Sequence, residues 1–375
     1  MEACSALAQE VEKSRIICEE VAEVELAKPS LERITKLDGV HKLGIAIGEV
    51  VDFDFQVIQG DIDRFLRYFG DKQNFCLSMY CAEADRSDYD DLAFGLLSVV
   101  RQHGLRKAHL IRPHSGYEIH STEILARQAI EFLAFRTAKG YQIGITFFVP
   151  STEEFRERAT KRPVVSSEIS LSPRLAKILV NLSQTSPDGV LLDPFCGSGT
   201  ILIEAVLKGI NCIGVDKRRQ CITNTSRNLE WITKYSNSHG LGTFETMVGD
   251  ATDLDRVLRG RRVESVVTEP ILLPSLTSTP GLKAARSMVR NASATYSSFL
   301  YSVKDVMRPG GRLVIVVPSV RTSEGKDVSL TLEDVADAGF RPAQMFPNTL
   351  TDYPVRIASG STRWIDRKVY VYEKF

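Results

Sequence analysis

Four acids in the C-terminal half of this 375-residue chain each stand at the end of a short apolar run: Asp193, Asp216, Asp250 and Glu269. Asp193 opens the segment Asp193-Pro194-Phe195-Cys196-Gly197-Ser198-Gly199-Thr200, which follows an apolar run and leads into a helical pattern. Gly197 and Gly199 let the chain turn sharply and bring its backbone close to a ligand. Asp216, followed by Lys217, closes residues 211–216. It stands roughly 20 residues beyond the turn, where an acid for ribose hydroxyls belongs. Asp250, in Gly249-Asp250-Ala251, closes a third run and can accept an adenine amino group. A dinucleotide site would ask for Gly-x-Gly-x-x-Gly to seat a diphosphate on a helix N-terminus. Here the third Gly is absent and an acid precedes the turn, which suits a cationic methionine moiety. The spacing therefore predicts an S-adenosyl-L-methionine site built from Asp193, Phe195, Cys196, Gly197, Gly199, Thr200, Asp216, Lys217, Asp250 and Ala251. The plainer alternative is a Gly turn in an unrelated α/β protein.

Glu269 and Pro270 end a fourth run, Val263–Thr268. The lone pair of a base's exocyclic nitrogen delocalises into the ring, so that nitrogen is a poor nucleophile. An acid and a neighbouring carbonyl that accept its two N–H groups would aim the lone pair at a methyl donor, with positioning as the main effect. Glu269 and Pro270 are the expected catalytic pair. The alternative is that Glu269 salt-bridges a loop and Pro270 only ends the strand.

Elements that would position these residues alternate along the second half. Strands are expected at Val190–Leu192, Cys212–Val215, Glu245–Val248, Val263–Thr268 and Arg312–Val317. Helices are expected at Thr200–Lys208, Gln220–Tyr235, Ala284–Val306 and Leu332–Ala338. Such alternation predicts a doubly wound parallel sheet, which binds ligands at the C-terminal ends of its strands. Segments at 342–347 and 368–372 are expected to close it as a hairpin. The first half mixes strands and helices differently. A helix is expected near the N-terminus and again at Leu31–Leu37, with strands at Val21–Leu26 and Gly44–Val50. Beyond these come helices at Asp61–Phe69, Asp91–His103 and Thr122–Ala138 and strands at Phe75–Tyr80, Lys107–Ile111 and Tyr141–Phe148. A charged connector follows, and the boundary is expected near residue 165.

Composition is that of an ordinary globular protein, 43% hydrophobic and 25% charged. Lys+Arg and Asp+Glu are 47 each, a balance that neither supports nor excludes an RNA partner. Basic residues collect at 101–114, at 156–162 and at 256–262; each group is either a phosphate contact or a solvated face. Seven cysteines without a Cys-x-x-Cys pair and six histidines without ligand spacing give neither a zinc site nor a disulfide framework. Free thiols fit a cytoplasmic protein. No apolar run approaches the ~20 residues of a membrane helix, and the N-terminus does not read as a signal peptide.

The segment from Asp193 through Thr200 to Ala205, with Ser170–Lys177 before it and Gly249–Thr252 after it, resembles the archaeal and eukaryotic THUMP-domain tRNA guanosine-10 N2-methyltransferases. Leu31–Lys42 is similar to that family's N-terminal ferredoxin-like domain. The resemblance implies an α/β chain, a Rossmann-like class I methyltransferase sheet preceded by an α+β ferredoxin-like/THUMP region. The implied domains are ferredoxin-like at 1–60, THUMP at 61–150, a linker at 151–169 and methyltransferase at 170–375. It also implies that Ser172 and Pro173 help cover the methionine part of the cofactor. The implied reaction is methyl transfer to the N2 of a guanosine in tRNA, with a small zinc-binding activator as a further partner in eukaryotic members. The family's Asp-Pro-Pro-Tyr motif is replaced by Glu269-Pro270-Ile271-Leu272, closer to a branch with Thr-Glu-Pro. Loss of the motif aromatic removes a stacking contact of ~1–3 kcal/mol. A DNA or protein amino-group methyltransferase, and a non-catalytic RNA-binding protein that keeps the cofactor fold, are the competing readings. A DNA enzyme would want a target-recognition insertion after the fourth strand, and residues 271–290 are short for one.

Overall fold

A computed structural model describes residues 11–18, 21–27, 34, 37, 39–66, 74–80, 86–103, 105–150, 152–165, 171–236, 240–270, 278–332, 335–343, 354–357 and 364–375. The chain divides into two units, Gln9–Thr152 and Glu153–Phe375.

In the first unit, β1 (Val11–Cys18) and β2 (Val21–Leu26) pair as an antiparallel hairpin. The helix expected at the N-terminus is thus a strand over its described part. The pairing partner decides the outcome for a segment whose charged residues also suit a helix. A second sheet holds β3 (Leu43–Val50), β4 (Asn74–Tyr80), β5 (His109–Ile111), β6 (Ile130–Arg136) and β7 (Tyr141–Phe148), in the order β3-β7-β6-β4-β5. Helices α1 (Gln59–Leu66), α2 (Arg86–Gln102) and α3 (Ser121–Ala126) belong to this unit. Tyr89, Leu92 and Leu96 of α2 join Phe75, Phe132 and Ile143 of the sheet in one core.

The helix expected at Thr122–Ala138 ends at Ala126, and Ile130–Arg136 is a strand between β4 and β7. Residues 130–134 are buried throughout, so the two-residue alternation that marks a strand is missing from the sequence. β3, within the expected 1–60 domain, hydrogen-bonds along β7, so the sheet runs across the expected division at residue 60. The helix expected at Leu31–Leu37 lies almost wholly outside the described residues.

The second unit begins with α4 (Thr152–Thr160), inside the expected linker. The buried Arg158 guanidinium donates to both carboxylate oxygens of Glu204, at 2.7 and 3.2 Å. Then come α5 (Pro173–Ser183), β8 (Val190–Asp193), α6 (Thr200–Leu207), β9 (Asn211–Asp216), α7 (Arg219–Tyr235), β10 (Phe244–Val248), α8 (Leu254–Leu258), β11 (Ser265–Thr268) and α9 (Leu282–Val306). The chain closes with β12 (Arg312–Arg321), β13 (Asp327–Ser329), β14 (Phe340–Pro342), β15 (Val355–Ile357) and β16 (Ile365–Lys374).

The sheet order is β10-β9-β8-β11-β12-β16-β14. The first five strands are parallel, and β16 is antiparallel between β12 and β14. The sheet is Rossmann-like. The order reverses between β8 and β11, so a crevice opens beyond their C-terminal ends. Apolar faces on both sides are covered. Leu192, Val266 and Ile315 pack with α9, while Leu191, Val267 and Val314 pack with α5 and α6. Of the segments expected to close the sheet as a hairpin, Pro342 of β14 pairs with Tyr372 of β16, but β15 lies between the two strands in sequence and also pairs with β16; residues 344–347 are outside the described residues. No α-helix forms among the described residues of Leu332–Ala338. No described helix is long and apolar enough to cross a membrane.

Candidate active site

The four strand-end acids meet at one edge. Asp193 ends β8, Asp216 ends β9, Asp250 lies just past β10 and Glu269 just past β11. The first two of these strands are bonded directly, and Gly249 N–H donates to Asp216 O at 3.2 Å, which draws the third strand end in.

The turn between β8 and α6 is fixed from several sides. Gly197 and Gly199 have φ of 54° and 81°, in the left-handed region that favours glycine. A Cβ on Gly199 would meet Thr225 Cγ2 at 2.9 Å. Cys196 N–H donates to Val215 O at 3.0 Å, and Gly197 N–H to an Asp216 carboxylate oxygen at 3.2 Å. Two residues one turn apart on α7 hold the other side. Thr225 Oγ1 donates to Gly197 O at 2.9 Å, and Asn228 Nδ2 to Ser198 O at 2.9 Å. Asn228 also bonds both backbone groups of Val164, at 2.9 and 3.0 Å. Arg162 donates to Thr200 Oγ1 at 2.8 Å, so the expected linker ends against the turn itself.

Asp193 is 2% exposed and accepts from Thr268 Oγ1 at 2.8 Å and Phe195 N–H at 3.2 Å. Burial pushes its carboxyl up to about 7, and the nearby Asp216 and Glu269 add to that rise. Asp216 is also buried; besides Gly197 it accepts the Arg218 N–H at 2.9 Å. Asp250 is exposed, and its Oδ1 accepts from the N–H and hydroxyl of Thr252 at 2.9 and 2.8 Å. Those bonds hold its carboxyl below the usual range, and the exposed Lys217 adds to the effect. Ala251 is buried under the same strand end.

Four expected cofactor residues have partners of their own within the fold. The Cys196 side chain turns into the apolar core beside Leu202, and burial pushes its thiol well up, so only its backbone faces the turn's work. Phe195, partly buried, packs edge-on against Phe299, ring centroids 5.2 Å apart, at the margin of the core. Ser172 caps α5 by accepting Leu175 N–H at 3.2 Å, with Pro173 buried at the first helical position.

Glu269 is not a free acid. Arg367 of β16 donates from Nε to Oε1 at 2.6 Å and from Nη2 to Oε2 at 3.4 Å. The two side chains are 10% and 11% exposed. Burial raises the Glu269 carboxyl, and the guanidinium pulls against that rise. Pro270 is buried beside it, and Ile271 and Leu272 lie outside the described residues. Sequence reading missed Thr268, Asn228, Arg162 and Arg367. Thr268 is adjacent to the motif and was findable; the others carry no local signal.

The basic groups are largely engaged within the chain. Arg112 pairs with Asp90 at 2.5 Å, and Arg101 donates to Ala108 O at 3.1 Å. Arg156 pairs with Glu153, Lys161 with Glu157, Arg158 with Glu204, and Arg261 with Glu245. Within the 156–162 group, Arg158 and Arg162 are buried against Glu204 and Thr200, while Arg156 and Lys161 form exposed pairs along the helix.

The donor set fits S-adenosylmethionine: a buried acid beside a backbone-lined turn, with two further acids at neighbouring strand ends. Residues 161–326 match the family model described as RMKL-like, methyltransferase domain (UPF0020). The tRNA (guanine(10)-N2)-dimethyltransferase of Pyrococcus abyssi is 33% identical over 177 residues, 47% of each chain. That of Methanothermobacter thermautotrophicus is 34% identical over 171 residues, 45% of each chain. The crystal structure of TrmN from Thermus thermophilus is 18% identical, with a TM-score of 0.49 over 95% of this chain and 92% of that one. The chain spans about half the length of the curated relatives it matches, 47% and 45% of them. Through residues 161–326, the chain is similar to the RMKL-like methyltransferase domain.

Proposed function

We propose that this chain is an S-adenosylmethionine-dependent methyltransferase acting on the exocyclic N2 of a guanosine in tRNA. The carrying observation is a buried Glu269-Pro270 at the end of β11, next to the turn of β8 at the point where strand order reverses. Both matched tRNA (guanine(10)-N2)-dimethyltransferases support the substrate class.

When bound, the cofactor supplies a sulfonium methyl group open to attack by an electron pair. Asp193 would hold its cationic methionine end, Asp216 its ribose hydroxyls and Asp250 its adenine amino group. The backbone of Gly197 and Gly199 allows close approach. Glu269 accepts one N–H of the guanine amino group and the Pro270 carbonyl accepts the other, which localises the nitrogen lone pair. The methyl's bond to the sulfonium would break with its electron pair left on sulfur as the bond to nitrogen forms, and a Glu269 carboxylate oxygen would take the proton that the amino group loses. The N-terminal unit, as a ferredoxin-like and THUMP region, would dock the tRNA, with binding that weakens as salt rises.

Nucleoside mass spectrometry of tRNA from cells with and without the gene identifies the product. Glu269→Ala should lower the single-turnover rate on unmodified tRNA by ~10²–10⁴ while leaving cofactor affinity within about twofold. A wild-type rate in Glu269→Ala overturns the assigned chemistry. Turnover by the purified chain alone shows whether an activator subunit is required.

A further inference from the structure

Arg367 lies 98 positions from Glu269 in sequence and two strands away in the sheet. β11 pairs with β12, and β12 pairs with β16, where Arg367 stands opposite Pro318. Crossing two strand spacings means roughly 9–10 Å between backbones. Two long side chains are needed to close that gap, and an Asp at 269 would end one methylene short. The resulting contact sets two donors of one guanidinium edge, Nε and Nη2, on the two carboxylate oxygens, at 2.6 and 3.4 Å. Such a fork fixes the plane of the carboxylate as well as its charge. Each oxygen keeps a second lone-pair site, since a carboxylate offers about four.

We propose that Arg367 is the positioning residue for Glu269: it clamps the carboxylate in one orientation so that a remaining lone pair faces the amino group of the base. This rests on the function proposed above, in which Glu269 receives that group. A carboxyl this deeply buried is driven toward its neutral form, in which one oxygen becomes a donor and competes with the amino group. The other groups that reach Glu269 do not help. Asp193 of β8 is a second acid, and Tyr296 of α9, buried with its hydroxyl on Val316 O at 3.4 Å, is raised by burial and by Glu269. Arg367 of β16 is the cation that acts against protonation.

The sign follows. Without the guanidinium, Glu269 gains its proton at higher pH, so the acid limb of the pH–rate profile moves upward. In Arg367→Met, single-turnover methylation of unmodified tRNA at saturating cofactor should fall ~10²-fold near pH 7 and by much less near pH 9. Cofactor affinity by calorimetry should stay close to wild type, while the melting temperature should fall because Glu269 loses its counter-ion, so rates are compared well below it. Arg367→Lys keeps the charge but loses the fork, so it should be slowed ~10-fold with its acid limb near the wild-type position. Carbon-13 NMR of labelled glutamate carboxyls, with Glu269→Gln to assign the signal, should show the Glu269 titration moved upward in Arg367→Met without reference to activity. An equal loss at every pH, or no loss, overturns the inference while an inactive Glu269→Ala keeps the functional reading intact. An active Glu269→Ala overturns that reading, and the arginine's role with it.

Discussion

Each of the two larger sheets buries a carboxylate, and the two are served very differently. Glu131 on β6 takes Lys42 Nζ at 2.7 Å and Ser78 Oγ at 2.5 Å on one oxygen, and Thr146 Oγ1 at 2.6 Å on the other. Lys42 in turn donates to Tyr80 Oη at 3.0 Å and Ile119 O at 2.8 Å. Both oxygens of Glu131 are met by donors and a cation sits on it, although Lys42 also pairs with the exposed Glu118 at 3.1 Å; the network pins one face of the N-terminal sheet. Asp193 on β8 takes a hydroxyl and a backbone N–H, and its charged neighbours Asp216 and Glu269 repel it. A buried charge with its own counter-ion is architecture. A buried charge grouped with other acids has a preference for an arriving cation, at the expense of the fold around it.

The largest expected effect falls on the matched site. Lys42→Met strands Glu131 in the core and should destabilise the N-terminal unit by ~3–5 kcal/mol. Hydrogen exchange in β4, β6 and β7 of the full chain should quicken, with β8–β12 unaffected. Adding Glu131→Gln should recover part of the loss, because the uncompensated charge is gone. Unchanged exchange in Lys42→Met would break the comparison, leaving both carboxylates equally poorly held.

A smaller effect is expected at the ligand edge. Asp216→Ala should weaken S-adenosylmethionine binding by ~10–100-fold, the scale of a hydrogen bond to a charged group. Part of that acts through the Gly197 N–H that Asp216 anchors. Asp216→Asn can still accept from Gly197, so its loss relative to wild type reports the ribose contribution and the further loss in Asp216→Ala reports the anchor. Equal affinity of Asp216→Ala and wild type in calorimetry would remove the ribose assignment.

Legibility differed in the same way between the halves. The parallel strands, the Gly turn and the strand-end acids are local signals, each visible within a few residues. What they could not show is who partners them. Arg367 and Arg162 reach the site from segments with no motif, and only the sheet order brings them there. Cys196 and Phe195 sat inside a ligand-binding pattern, yet their side chains face the core, because a turn residue's backbone and side chain can serve opposite sides. In the N-terminal half, β6 was hidden by burial on both faces, and β1 by charges that fit either state. Glu131 gave no sign of being buried: a single acid in an apolar run reads as a solvent-facing position until Lys42 is placed over it.

The subtlest test separates the two carboxylates by pH. Asp193 has its folded-state carboxyl raised from 3.8 to about 7, with burial as the largest cause. A raised carboxyl costs stability as pH climbs from the unfolded value toward the folded one, and a bound cation reverses the preference by favouring the ionised form. Cofactor binding below pH 7 therefore expels a proton from Asp193. Affinity should rise ~10-fold from pH 6 to pH 7 and level off above it, since each pH unit below the folded value is worth up to one decade. Titration of the cofactor's own amino group lies higher, at ~8 by analogy with an α-amino group, and acts in the opposite direction. Asp193→Asn supplies the control. It keeps an acceptor for Thr268 and Phe195 but has no proton to lose, so its affinity should be lower at pH 8 and flat between pH 6 and 7. Calorimetry in buffers of different ionisation enthalpy counts the proton directly. The same slope in wild type and Asp193→Asn would show that Asp193 is as well matched as Glu131, and that the cationic end of the ligand is held by another group.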